Sequence, residues 1–379
     1  MVPSVGKWST PICEPASRTA KNAVHADCAI CMVPRMQRTH ASEPRAGRAL
    51  DLVESLQARF ATRLGAVPGA KTYTPVSWLR DDGRHGGGER LEAPSCEAFN
   101  RASVNVSQIH YDDLPDRRLS SATALSTIVH PANPQAPSVH IHISWTSMRS
   151  GSAYWRLMAD LNPAIPNDAD RVAYEAVLRA AMGEHFGEAK ANADSYFYIP
   201  ALERHRGVAH VYLEGFDSGD FDADLALARS FGEAVTDGYV DLLEPALSRP
   251  STAEDAAAQR AYHTVYLFQV LTLDRGTTSG LLIHDQNDVG ILGSLPAVVD
   301  AQLLRSWSER VPEVQVPLVH GLADALGGEA EAEVSEARKR AMAQVVREHY
   351  RAHPDALQKQ ATGPIIPTTV ANHGTVEDS

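Results

Sequence analysis

Little cysteine, no long apolar run and no excess of positive charge mark this 379-residue sequence, and each shortage removes a class of protein. Only four cysteines occur, and three of them, Cys13, Cys28 and Cys31, stand in the first 31 residues, far from Cys96. Cys28-Ala-Ile-Cys31 is a C-x-x-C, but no second pair and no nearby histidine pair completes a zinc site. A reduced, cytoplasmic setting is expected. No apolar stretch approaches the ~20 residues that cross a bilayer, so no membrane span is expected. The net charge of −12 argues against a nucleic-acid surface. It also means that a polyanionic substrate must be met by local arginines.

The apolar fraction of 44% and charged fraction of 22% belong to a globular chain, long enough for one large domain or two ordinary ones. Residues 1–48 hold seven Lys/Arg against three Asp/Glu, while the rest is acidic. They lack the roughly 7–15-residue apolar core of a secretory signal. Residues 1–47 therefore read as a disordered or leader extension, and removing residues 1–45 is expected to leave folding intact. A folded region over 48–320 follows, and 321–379 reads as a charged surface helix and a tail.

Within the folded region, Leu50, Val53, Phe60 and Leu64 fall on one helical face. An extended stretch over Tyr73–Leu79 leads to a loop holding Gly86, Gly87 and Gly88. Strands are predicted at Val104–Ile109, Leu125–Val129 and Val139–Trp145. In the last, Val139, Ile141, Ile143 and Trp145 alternate with His140, His142 and Ser144. Helices are predicted over Ala169–Phe186 and Phe221–Leu243, and further strands at Val265–Leu273 and Ser279–Ile283. Strands and helices mix without a βαβ rhythm, which predicts an α+β fold with an antiparallel sheet.

The densest chemistry lies in Ser126, then His130-Pro131-Ala132-Asn133-Pro134, then Pro137-Ser138-Val139-His140. Its prolines fix a rigid connector between two strands and so place the flanking side chains. Taken whole, the string resembles the signature of the oxygen-dependent coproporphyrinogen III oxidase family. Tyr154-Trp155 with Asp160-Leu-Asn-Pro163 resembles a second motif of that family. Tyr196-Phe197-Tyr198 with Arg206-Gly207 resembles a third, and Asp274-Arg275-Gly276-Thr277 with Ser294-Leu295-Pro296 a fourth. The four stand in order over roughly residues 50–310.

The resemblance implies a broad antiparallel sheet flanked by helices on both faces, and a homodimer whose interface includes Val265–Pro296. It implies oxidative decarboxylation with O₂ as co-substrate and no flavin or haem, because an electron-rich pyrrole can itself pass electrons to O₂. Asp160 matches the carboxylate that orients pyrrole nitrogens, and His140 the proton donor. Ser126, His142, Ser144, Arg206 and Arg275 fall at substrate-binding positions. Several positions depart from the family pattern. Ser144 stands where an arginine is expected, and Arg156-Leu157-Met158-Ala159 replaces a glycine run one residue longer. Ala209-His210 replaces two glycines, Leu213-Glu214-Gly215 replaces Phe-Asp-Asp, and Asp285-Gln286-Asn287 replaces Gly-Gly-Arg. Lost arginines remove bidentate carboxylate partners, and lost glycines block close approach to a flat ligand. Of four histidines implied to hold a metal in some bacterial members, His130 and His140 are matched, and the other two positions are Ala169 and Ala201.

The expected function is therefore a cofactor-independent, O₂-dependent oxidase acting on an altered electron-rich heteroaromatic acid in specialised metabolism. The alternatives are a true coproporphyrinogen III oxidase, a non-catalytic tetrapyrrole-binding homologue, and a metalloenzyme. The last would use the H-x-H pair His140 and His142, with His130 or His210 as third ligand.

Overall fold

A seven-stranded sheet separates two unlike layers, and the period-two alternation of its strands makes them unlike. The computed structural model describes residues 37–93, 95–360 and 373. The described residues from Gln37 onward form one unit. Its strands are β1 (Thr74–Leu79), β2 (Gly86–Ala93), β3 (Phe99–His110), β4 (Leu119–Pro131), β5 (Ser138–Met148) and β6 (Ala153–Asn162). Two short strands, β7 (Tyr198–Ile199) and β8 (Arg204–His205), pair with each other, and β9 (Ala209–Phe216) closes the sheet. The order is β1-β2-β3-β4-β5-β6-β9, antiparallel throughout.

One sheet face carries Val104, Val106, Leu125, Val139, Ile141, Ile143, Leu157, Val211 and Leu213, all buried. Helices α1 (Pro44–Gly65), α2 (Asp168–Met182) and α4 (Phe221–Leu247) cover it. Helix α1 presents Leu50, Val53, Phe60 and Leu64 to that face. The α4 stripe of Leu225, Ala228, Phe231, Val235, Tyr239 and Leu242 is core, and each large side chain in it contributes about 1.5–3 kcal/mol by burial. Asp220 caps α4 by accepting from the backbone N–H groups of Asp222 and Ala223. Gly183, at φ +52°, ends α2, so the predicted single helix over 169–186 is divided and α3 (Phe186–Tyr196) begins beyond it.

The second layer holds α5 (Ala253–Thr272), α6 (Arg275–Ile283), α7 (Asp288–Ile291), α8 (Ala301–Ser306), α9 (Val316–Ala325) and α10 (Glu336–Ala352). The strands expected at Val265–Leu273 and Ser279–Ile283 are helices. A Thr252–Asp255 capping box starts α5, and every residue from Tyr262 to Leu273 is buried. A run buried on all sides has no polar stripe, which hides its 3.6-residue period. Helix α10 is not wholly a surface helix, because Met342, Ala343, Val346 and Tyr350 join the second core.

Two further expectations change. The Gly86–Gly88 loop is the start of β2. Residues 37–47 belong to the fold: the Thr39 N–H donates to the Gly83 carbonyl at 2.8 Å, and its hydroxyl donates to the Arg84 carbonyl at 2.6 Å. The Ala41 N–H donates to Gln108 Oε1 at 3.0 Å. Residues 1–36, including Cys13, Cys28 and Cys31, lie outside the described residues.

Candidate active site

On the sheet's second face the cross-strand register builds three rungs. One runs Ser103, Ile128, His140, Asp160, His210. The next runs Asn105, Ser126, His142, Met158, Tyr212, and the third Ser107, Ala124, Ser144, Arg156, Glu214. The serines and alanine of β3 and β4 (Ser103, Ser107, Ser126, Ala124) leave room, while His140, His142, Arg156, Tyr212 and Glu214 on β5, β6 and β9 reach into it. The alternation seen in β5 alone thus extends over five strands. A bulge at Gly215 (φ +69°) ends the pattern, so that Glu214 faces Arg156 and Phe216 faces Trp155 in the apolar layer.

Tyr266, Val270, Asp274, Arg275 and His284 roof this face, enclosing a cavity of about 320 Å³. His140, His142, Ser126, Ser144 and Arg275 all line it. Its charged groups already have hydrogen-bond partners. Glu214, with its side chain 1% exposed, accepts from Arg156 Nε at 3.2 Å and from Arg275 Nη2 at 3.3 Å. Asp274 Oδ2 accepts from the Tyr196 hydroxyl at 2.9 Å, while Oδ1 caps α6 through the Thr277 N–H at 2.7 Å. The Ser144 hydroxyl is buried and has no partner among the described residues.

Asp160 and Arg206 do not line the cavity. Both are fully buried behind it, with Arg206 Nε donating to Asp160 Oδ2 at 2.8 Å. Gly207 makes this possible, since a Cβ there would lie 1.9 Å from Asp160 Oδ1. Arg206 also donates to Gln269 Oε1 at 2.8 Å and to His140 Nδ1 at 3.0 Å, and its guanidinium stacks on Phe197 and Tyr266. A guanidinium only donates, so His140 Nδ1 accepts and the imidazole proton sits on Nε2. Burial, aided by the Arg206 charge, holds His140 well below the usual histidine range. His140 is therefore a neutral hydrogen-bond donor to the cavity, not an imidazolium acid. Burial and the nearby Arg156 charge lower His142 to about 4.

The histidines of the expected metal set are not brought together. His130 Nδ1 accepts from the Ser138 hydroxyl at 2.9 Å, and its Nε2 donates to the Ser294 carbonyl at 3.1 Å. Both of its ring nitrogens are spent, and Arg206 holds His140 Nδ1. The four-histidine pattern does not fit this chain. His210 points elsewhere, to Asp160 and Asp194. Sequence reasoning missed Arg156, Glu214 and Asp274 as cavity residues. Extending the β5 alternation across β6 and β9 would have set Arg156 and Glu214 on the same face as Ser144. The helical roof bearing Asp274 left no such signal.

Residues 48–317 match the family described as Coproporphyrinogen III oxidase. The chain belongs to that family. All cavity-lining residues except His373 fall within the match. The α+β fold, with its broad antiparallel sheet between two helical layers, is the fold of the coproporphyrinogen III oxidase family. Among similar proteins is the mouse (Mus musculus) "Oxygen-dependent coproporphyrinogen-III oxidase, mitochondrial", 25% identical over 290 residues, covering 70% of this chain and 65% of that protein. The human (Homo sapiens) protein of the same description is 24% identical over 290 residues, covering 70% of this chain and 63% of its own length. An "Oxygen-dependent coproporphyrinogen-III oxidase" of Rickettsia bellii strain OSU 85-389 is 26% identical over 260 residues, covering 65% of this chain and 90% of its own. The match therefore spans less than two thirds of the mouse and human proteins. Among the described residues, no helix is long and apolar enough to cross a membrane.

Proposed function

We propose that this protein is an O₂-dependent oxidase of the coproporphyrinogen oxidase type, acting on an electron-rich pyrrole- or indole-like carboxylic acid other than coproporphyrinogen III. The relatives' names support the oxidase class. The observation that carries the altered substrate is the pairing of Arg156 and Arg275 with the single carboxylate of Glu214. Two cations sharing one anion can take one substrate carboxylate, the other cavity carboxylate, Asp274, being held by the Tyr196 hydroxyl and the Thr277 N–H. Coproporphyrinogen III brings four propionates, and Ser144 stands where the family pattern has an arginine. The serines along β3 and β4, with two neutral histidines, suit the polar edge of a small ring system.

In the reaction the side chain R–CH₂–CH₂–COOH becomes R–CH=CH₂ and CO₂, and O₂ takes the two hydrogens as H₂O₂. Electrons leave through the electron-rich ring, so no resident redox group is required by the balance. Residues of this chain would position the ring: Arg156 and Arg275 at the carboxylate, His140 Nε2–H and Ser126 at the ring edge. Asp160 acts as a positioning residue, through Arg206, on His140. A homodimer in the cytoplasm completes the reading, and light scattering of the purified chain tests its assembly.

The deciding experiment supplies coproporphyrinogen III and a panel of pyrrole and indole propionates in air, reading O₂ uptake, CO₂ and H₂O₂. Expected are equal CO₂ and H₂O₂ from a panel member and no vinyl porphyrin from coproporphyrinogen III. Efficient vinyl formation from coproporphyrinogen III overturns the altered-substrate reading and returns the chain to haem synthesis.

A further inference from the structure

His210 stands between two carboxylates. Its Nδ1 is 3.2 Å from Asp160 Oδ1, and its Nε2 is 2.8 Å from Asp194 Oδ1. Carboxylate oxygens only accept, so each contact needs a hydrogen or a cation between its atoms. The buried Asp160 takes Nδ1–H, which leaves Nε2 and Asp194 to share one positive species, a proton or a metal ion. A third donor is at hand. Ligand atoms of Asp194, His205 and His210 all lie within 4.8 Å of one another, the one such group of three among the described residues.

We propose that Asp194, His205 and His210 form a site for a first-row divalent transition metal such as zinc, with Asp160 as the outer carboxylate that orients His210. Two imidazoles and one carboxylate suit such an ion and disfavour magnesium or calcium, which prefer oxygen alone. The Asp160–His210 contact is the bond that metal-bound histidines make through their second nitrogen. The three ligands come from α3, β8 and β9, so the ion ties together elements that the main sheet does not. Ligands about 2.0–2.2 Å from one tetrahedral ion stand roughly 3.4 Å apart, so His210 Nε2 and Asp194 Oδ1, now 2.8 Å apart, open slightly to admit it. His205 is partly exposed, and its Nε2 now donates to the Asp194 carbonyl at 3.0 Å. Lys190, whose ammonium rests on Asp194 Oδ1, is also partly exposed and yields its place to the ion. A surface cleft lined by Asp194, Tyr198, Pro200, His205 and Lys359 gives entry, and a water can fill the fourth position.

This site lies apart from the cavity and does not rest on the oxidase reading. Asp160 links the two, since its oxygens serve His210 on one side and Arg206 on the other.

The test uses the untagged full chain, stripped with chelator and titrated with Co²⁺ alone, followed by its visible d–d absorption. Zn²⁺ competition and metal content by mass spectrometry complete it. The expected result is one Co²⁺ per chain, displaced by Zn²⁺, without thiolate charge-transfer bands. His205→Ala and Asp194→Asn should each weaken binding at least tenfold, and His142→Ala should not. Because loss of His210 strips a buried carboxylate of a partner, the part-exposed His205 carries the test, and an unchanged metal-free Tm verifies its fold. No saturable binding, binding that survives His205→Ala, or a thiolate band from Cys28 and Cys31 would each overturn the proposal.

Discussion

Arg206 holds His140 by Nη2 at 3.0 Å while Nε of the same guanidinium holds Asp160 at 2.8 Å. One buried cation thus fixes the tautomer of a cavity-lining histidine and neutralises a carboxylate that never reaches the cavity. Asp160→Asn removes that counter-charge, so it perturbs the fold as well as any chemistry. Leaving Arg206 buried without its counter-charge should cost about 3–5 kcal/mol, whereas replacing both members by Asp160→Leu with Arg206→Met should cost less than either single change. Urea unfolding of the three variants checks this, and a double variant as unstable as the sum of the singles counts against it.

The two cavity arginines should carry carboxylate binding. Arg156→Met or Arg275→Met leaves Glu214 with one cation, and that cation is then fully occupied. The affinity for indole-3-propionate, used as a simple carboxylate probe, should fall at least tenfold, about 1.4 kcal/mol or more. Calorimetric titration reads it directly. Equal affinity in wild type and both variants would place the carboxylate elsewhere.

Several buried histidines predict acid sensitivity. Burial lowers His142 and His263 to about 4 and holds His130 and His140 well below the usual range. Folded values below unfolded ones mean that the unfolded chain binds more protons between the two, so stability rises with pH. The loss begins as pH falls through about 6.5 and continues to about 4, with a slope of about 1.4 kcal/mol per pH unit for each such histidine. Thermal melts should show Tm dropping steeply below about pH 6. A Tm level from pH 7 to 5 contradicts the assignment.

Cutting the chain after residue 45 should destabilise it, because the Thr39 and Ala41 bonds to Gly83, Arg84 and Gln108 are lost together with the first residues of α1. A chain starting at Gln37 keeps them. A lower Tm for the shorter chain by several degrees is the expected outcome, and equal values would return these residues to a dispensable role.

Strongly patterned pieces were readable in advance. Val139–Trp145 showed its two faces because one packs on α1 and α4 while the other lines a polar cavity. The α4 stripe announced itself in the same way. Tyr262–Leu273 did not, since burial on every side erases the period by which a helix is recognised. Ser126, His140, His142, Ser144 and Arg275, singled out by their motifs, line the cavity. Asp160 and Arg206 did not, because a carboxylate and a guanidinium close in space satisfy each other, and linear sequence does not reveal that they meet. The Asp194–His205–His210 group was equally hidden, being assembled from three elements with no common spacing.

The two unlike faces of the sheet also bear on how such a chain can diverge. Along β5, β6 and β9 the cavity residues Ser144, Arg156 and Glu214 alternate with Ile143, Leu157 and Leu213 of the apolar layer. Substitutions at Ser144, Arg156 or Glu214 can therefore alter what the cavity accepts while α1, α2 and α4 keep their packing. Drift in ligand preference at Ser144 is thereby loosened from the packing of the apolar layer, whereas Arg156, Arg275 and Glu214 share buried charge and are expected to change together.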